Sequence, residues 1–141
     1  NPGPGGWAAI LRWDAHEKTL SGGYRLTTNN RMGILGVVEA LSALREPCRV
    51  LVTTDSQYVC NAVEKKWLAG WEKNGWKTTA KKPVKNKDLW EKLLPLLKSH
   101  SVRFIWVRGH NGHPENERCG ELARAWAGQA NLPEDTGFIP E

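Results

Sequence analysis

Thr27-Thr28-Asn29-Asn30-Arg31-Met32-Gly33-Ile34-Leu35-Gly36-Val37-Val38-Glu39-Ala40-Leu41-Ser42-Ala43-Leu44, continued after Pro47 by Arg49-Val50-Leu51-Val52-Thr53-Thr54-Asp55, is the stretch that decides the fold class. Thr28, Asn29 and Asn30 carry side chains suited to capping a helix, and Ile34, Val37, Val38, Leu41 and Leu44 recur behind them at helical spacing. This predicts a helix over 31–44 with one apolar stripe, stopped by Pro47. The run 49–54 is short, apolar and β-branched, which suits a buried strand, and Asp55 stands at its C-terminal end. A helix leading into a buried strand places the chain in the α/β class.

Upstream, 7–13 and 19–26 are β-like runs on either side of a turn region at 14–18. Downstream, 57–68 has helical character, and 87–97 repeats the helical period through Leu89, Trp90, Leu93, Leu94 and Leu97, with Pro95 expected to bend or end it. A strand is predicted over 102–107, followed by the loop Arg108-Gly109-His110-Asn111-Gly112-His113. A last helix starts at Pro114, where Glu115 and Glu117 suit the positive end of its dipole, and runs to about residue 127. The order β-β-α-β-α-α-β-α gives one mixed sheet with helices packed on it, in a single domain spanning 1–141. Trp90, Trp106 and Trp126 are core candidates. The tail from 128 to 141 is rich in Pro, Gly and acids and is expected to be loosely held.

Charge placement is more telling than its total. Of 20 Lys and Arg against 15 Asp and Glu, the segment 65–87 holds eight lysines against one acid, Glu72, while the rest of the chain is slightly acidic. Trp67, Trp71 and Trp76 lie in the same segment. Lysines attract phosphates and flat aromatics lie against sugars or bases, so this protruding basic unit suits a nucleic-acid backbone. The alternative is a solvated basic face with its tryptophans packed beneath.

No apolar run approaches the ~18 residues of a membrane span, so no membrane partner is expected. Cys48, Cys60 and Cys119 are an odd number without zinc-site spacing and are read as small packing residues in a reducing, cytoplasmic setting. The start Asn1-Pro2-Gly3-Pro4-Gly5-Gly6 has neither an initiator Met nor signal-peptide character, and the expectation is a remainder of a longer chain.

Five motifs now stand in order: Asn1-Pro2-Gly3-Pro4-Gly5-Gly6-Trp7, Thr27-Thr28-Asn29-Asn30-Arg31-Met32, Thr54-Asp55-Ser56-Gln57-Tyr58-Val59, Gly75-Trp76-Lys77-Thr78 with Lys81-Lys82-Pro83-Val84-Lys85-Asn86, and Gly109-His110-Asn111-Gly112-His113-Pro114-Glu115-Asn116-Glu117-Arg118-Cys119. Over nearly its whole length the chain closely resembles bacterial type 1 ribonuclease H. The resemblance implies a ribonuclease H-like mixed sheet of five strands flanked by helices, with a basic handle at about 65–87. It implies an endonuclease, a hydrolase that cuts the RNA strand of an RNA–DNA hybrid with two magnesium ions, or manganese in their place, held by four carboxylates. Hard divalent ions bridging a phosphate need such anionic oxygens.

By the same resemblance, the first acid belongs to an opening strand before the Asn-Pro-Gly turn, and that strand is largely missing here. The second position is Gly33, the third is Asp55 and the fourth is Gly120, so Asp55 is the one metal-binding acid retained. Glu121 is rotated by about 100° from position 120 and Glu117 lies a turn earlier, so neither substitutes well. The two glycines sit inside predicted helices with no evident folding benefit. His110 resembles the family histidine that assists proton transfer or product release. Asn1, Thr28, Asn29, Asn30 and Gln57 match positions that contact the hybrid, and Trp67, Trp71, Lys81, Lys82 and Lys85 match its handle; without the family, Thr28 to Asn30 would read as a plain helix cap. The expectation is a monomer that recognises RNA–DNA hybrids with its catalysis strongly impaired or lost. A non-catalytic hybrid- or duplex-binding module is the alternative, and whether the chain is still an enzyme stays open.

Overall fold

The computed structural model describes residues 2–109 and 112–140. β1 (Gly3–Trp13) and β2 (His16–Thr27) form an antiparallel hairpin around Asp14 and Ala15, in a register that sets Trp7 opposite Gly22 and Ile10 opposite Thr19. α1 (Asn29–Ser42) follows, with the Thr28 hydroxyl accepting from the Arg31 N–H at 3.2 Å. β3 (Arg49–Thr54) leads through the Ser56 cap into α2 (Gln57–Glu64), and after α3 (Trp67–Lys73) and α4 (Lys87–Ser99) the chain returns as β4 (Ser101–Trp106). α5 (Pro114–Ala127) is capped by His113, whose Nδ1 accepts from the Asn116 N–H at 3.2 Å.

The hydrophobic core gathers around α1. Ile34, Val37, Val38 and Leu41 meet Val59 and Ala62 of α2, Trp90 and Leu93 of α4, and Phe104 of β4. α5 lies on β1 so closely that a Cβ at Gly6 would collide with the Ala123 carbonyl, which is why position 6 needs glycine.

Four expectations are corrected. First, the strands do not make one sheet: among the described residues they form an antiparallel pair β1–β2 and a parallel pair β3–β4, with no ladder between them. Second, the helical reading of 57–68 breaks at Lys66, which takes a left-handed backbone (φ 61°) and separates α2 from α3, while α4 does not end at Pro95 but runs to Ser99, whose hydroxyl donates to the Pro95 carbonyl at 2.9 Å. Third, Trp106 is not core: at the end of β4 it is 43% exposed and donates its indole N–H to the Asp55 carbonyl, whereas Trp90 is fully buried and Trp126 is half-buried on the Ser21 hydroxyl.

Fourth, the tail is tied down. The Arg25 N–H donates to the Pro133 carbonyl at 2.9 Å, Arg25 pairs with Glu134, and the Thr27 hydroxyl donates to Asp135 at 2.7 Å. The anchor is Arg31, 2% exposed, whose Nε donates to Asp135 at 2.7 Å and whose terminal nitrogens donate to Asp88 at 2.8 and 2.7 Å. Burial works against the guanidinium's charge, yet the hydrogen bonds it makes to Asp88 and Asp135 outweigh it and hold its pKa above the ordinary value. Burial likewise presses the Asp88 carboxyl upward, but the hydrogen bond from Arg31 and its charge hold that pKa below the ordinary value.

Asp135→Ala is therefore expected to lower stability by about 1.5–3 kcal/mol, the usual worth of hydrogen bonds to a charged group, and to expose the tail to limited proteolysis. Because the Asp88 carboxyl titrates lower in the folded than in the unfolded chain, its contribution is full above the unfolded pKa of ~3.9 and fades as the pH falls through the folded one. Thermal melts across that acid range check the sign, and Asp88→Asn should flatten the decline.

Candidate functional site

The site begins where β3 ends. Asp55 follows the last β3 residue, the Thr54 hydroxyl accepts from the Ser56 N–H at 3.0 Å, and the Ser56 hydroxyl accepts from the Val59 N–H at 3.2 Å. The two bonds fix a tight strand-to-helix turn that leaves Asp55 and Gln57 exposed. Across from them the start of α1 presents Asn29 and Asn30, also exposed. All four line a cleft of about 1020 Å³ that extends between β1 and β3. Thr28 is occupied as the α1 cap and is not among the lining residues. Asn1 and His110 lie outside the described residues.

Around Asp55 the walls are glycine. A Cβ at Gly109 would sit 3.3 Å from Asp55 Oδ2, so the backbone of that loop passes against the carboxylate. Gly33 faces α2, where a Cβ would lie 3.0 Å from Ser56 Oγ. This overturns the expectation that the glycine brings no folding benefit, since it lets α1 approach the Ser56 cap more closely than a larger residue would. Gly120 is covered by a residue the sequence reading passed over: Arg124, one helical turn on, puts Nη1 3.1 Å from where a Cβ would stand. The available signal was the i, i+4 spacing on α5.

This donor set does not fit a pair of divalent ions. Among the described residues no three His, Cys, Asp or Glu side chains gather to hold one, and the position facing Asp55 on α5 carries a guanidinium rather than a carboxylate. Cys119, on the same stretch of α5, has its thiol pushed up by burial and is a poor ligand or nucleophile.

The basic segment forms a second surface. Lys65, Lys66, Lys73, Lys77, Lys81, Lys82, Lys85 and Lys87 are all exposed. Beneath them the aromatics step inward: Trp67 is 43% exposed with Lys65 Nζ 5.7 Å above its ring, Trp71 lies 6.5 Å from Trp67, and Trp90 lies 5.9 Å from Trp71 in the core. Trp67 is thus open to a ligand, while Trp71 chiefly fastens the segment to α4. The loop beyond α3 is closed by the Thr78 N–H to the Lys82 carbonyl at 2.8 Å and by buried Val84, whose N–H reaches the Trp76 carbonyl at 3.1 Å.

Residues 1–127 match the family profile described as RNase H. The chain is 72% identical to a Ribonuclease H of Nitratidesulfovibrio vulgaris strain DP4, over 98% of this chain and 88% of that protein, and 56% identical to one of Klebsiella pneumoniae, over 100% and 90%. Its structure is similar, with a TM-score of 0.72 and 25% identity over 99% of this chain and 77% of the other, to the crystal structure of LC9-RNase H1, a type 1 RNase H with the type 2 active-site motif.

Millimolar magnesium or manganese is expected to leave the melting temperature unchanged, because one carboxylate and the guanidinium opposite offer no divalent site. Gly33→Glu combined with Gly120→Asp should create a melting temperature that rises with magnesium and falls back with EDTA. Scanning calorimetry of both proteins reads the difference.

Proposed function

Since the chain belongs to the bacterial type 1 ribonuclease H family, whose members recognise and hydrolyse RNA–DNA hybrids, we propose that it reads such hybrids while cutting their RNA strand weakly or not at all. The observation that carries this reading is the wall around Asp55: glycine at 33, 109 and 120 where a two-ion site needs further carboxylates. Binding relies on other groups. The exposed lysines of the handle neutralise backbone phosphates and release counterions. The amides of Asn29, Asn30 and Gln57 can donate to phosphate oxygens or take up the 2′-hydroxyl that marks the RNA strand.

Trp67 supplies an aromatic face beside Lys65 for the sugar–phosphate edge. Cleft and handle come from one copy, so a monomer suffices, and the three free thiols suit a reducing cytoplasm. No described helix is long and apolar enough to cross a membrane.

The test is titration of a fluorescent RNA–DNA hybrid in magnesium, followed by a denaturing gel of the same samples. Saturable binding with intact RNA is expected; cleavage abolished by EDTA and by Asp55→Asn would return the family reaction to this chain. Lys81→Ala, Lys82→Ala and Lys85→Ala together should weaken binding and reduce the slope of log affinity against log salt by about 0.9 for each phosphate no longer neutralised. An unchanged slope would remove the handle from the interface.

A further inference from the structure

β1 pairs only with β2 and β3 only with β4, so each keeps one open edge among the described residues. The cleft lies between those edges. Ala8 and Ile10 of β1 form one side, Leu51 and Val52 of β3 the other, and Val37 of α1 and Ala123 of α5 contribute apolar walls. Parallel ladders are normally covered on both faces, yet Leu51 is 62% and Ile105 48% exposed. A pair of strands standing alone is marginal in water, and both edges carry backbone donors and acceptors that side chains in an apolar cleft cannot satisfy along their length.

We propose that this cleft is a strand-acceptor site. It takes, in trans, an extended polypeptide segment of about six residues, the length of β3, which hydrogen-bonds to both edges at the ~4.8 Å spacing of a ladder and joins the two pairs into one sheet. The chemistry of the occupant follows from the walls. Its central residues are uncharged and apolar, because Val37, Leu51 and Ala123 surround them, and none is proline, because both of its edges donate. Chain of this length is at hand in the related protein of Nitratidesulfovibrio vulgaris, where about an eighth of the protein lies outside the matched span.

Cys119 provides a built-in reporter, since it lines the cleft while Cys48 lies outside it. The probe is the synthetic peptide acetyl-Lys-Ile-Val-Ile-Val-Thr-Lys-amide, added to the chain as it stands, with a copy carrying proline at the central position as control. At tenfold over its Kd the first peptide should slow maleimide labelling of Cys119 about tenfold, leave Cys48 unchanged, and protect backbone amides of 7–12 and 50–54 from hydrogen exchange. Leu51→Lys, at an exposed position, should abolish these effects without lowering the helix content. Equal effects from the proline peptide, no protection at either edge, or Cys119 already shielded in a concentration-dependent dimer without peptide would each overturn the proposal.

Discussion

The Arg31 guanidinium, taken almost wholly out of water, has to find an anionic or carbonyl oxygen for every donor, and the segments that supply those oxygens are thereby fixed relative to α1. Asp88 brings the first turn of α4, Asp135 brings the tail, and Asn86 Oδ1, at 3.3 Å, brings the residue where the handle rejoins α4. Asn86 in turn donates from its side-chain amide to the Tyr58 hydroxyl at 3.1 Å, which extends the tie to α2. A buried charge of this kind adds little net stability compared with a hydrophobic equivalent, but it penalises any arrangement that leaves it unmatched. Here it selects one relative placement of α1, α2, α4 and the tail, and so indirectly of the cleft and the handle.

Much of the secondary structure was legible because it rests on local chemistry. β3 at Arg49–Thr54 and α5 at Pro114–Ala127 match the sequence reading at both ends, since a β-branched run bounded by Pro47 and Asp55 and a Pro-initiated acidic first turn each encode their own limits. What the sequence hid is non-local. Nothing near residue 135 says that an acidic, Pro-rich tail will meet an arginine more than a hundred residues earlier. One cue to that arginine was present: Arg31 falls on the same stripe as Ile34, Leu35 and Val38, where a charge must be buried and matched.

The site was legible in parts for the same reason. Asn29, Asn30, Asp55 and Gln57 were named from their motifs, and the ends of α1 and β3 bring them around one cleft. The split of the sheet was not foreseen, because strand runs reveal their own burial but not which edges they share. Arg124 escaped because an arginine on a helix surface is ordinary until the residue one turn before it is glycine, whose bare backbone leaves the guanidinium room to fold over.

The handle carries its lysines on an uncomfortable backbone. Lys66 and Lys81 hold φ of 61° and 62°, a region in which glycine or asparagine would sit with less strain, and a side chain such as lysine costs about 1 kcal/mol or more. Positive charge at these two points therefore takes precedence over conformational ease. The consequence is a trade between robustness and electrostatic field: replacing either lysine by glycine would relax the loop and discharge it in the same stroke, so this part of the molecule cannot be made sturdier by the usual turn chemistry without dimming the potential it projects.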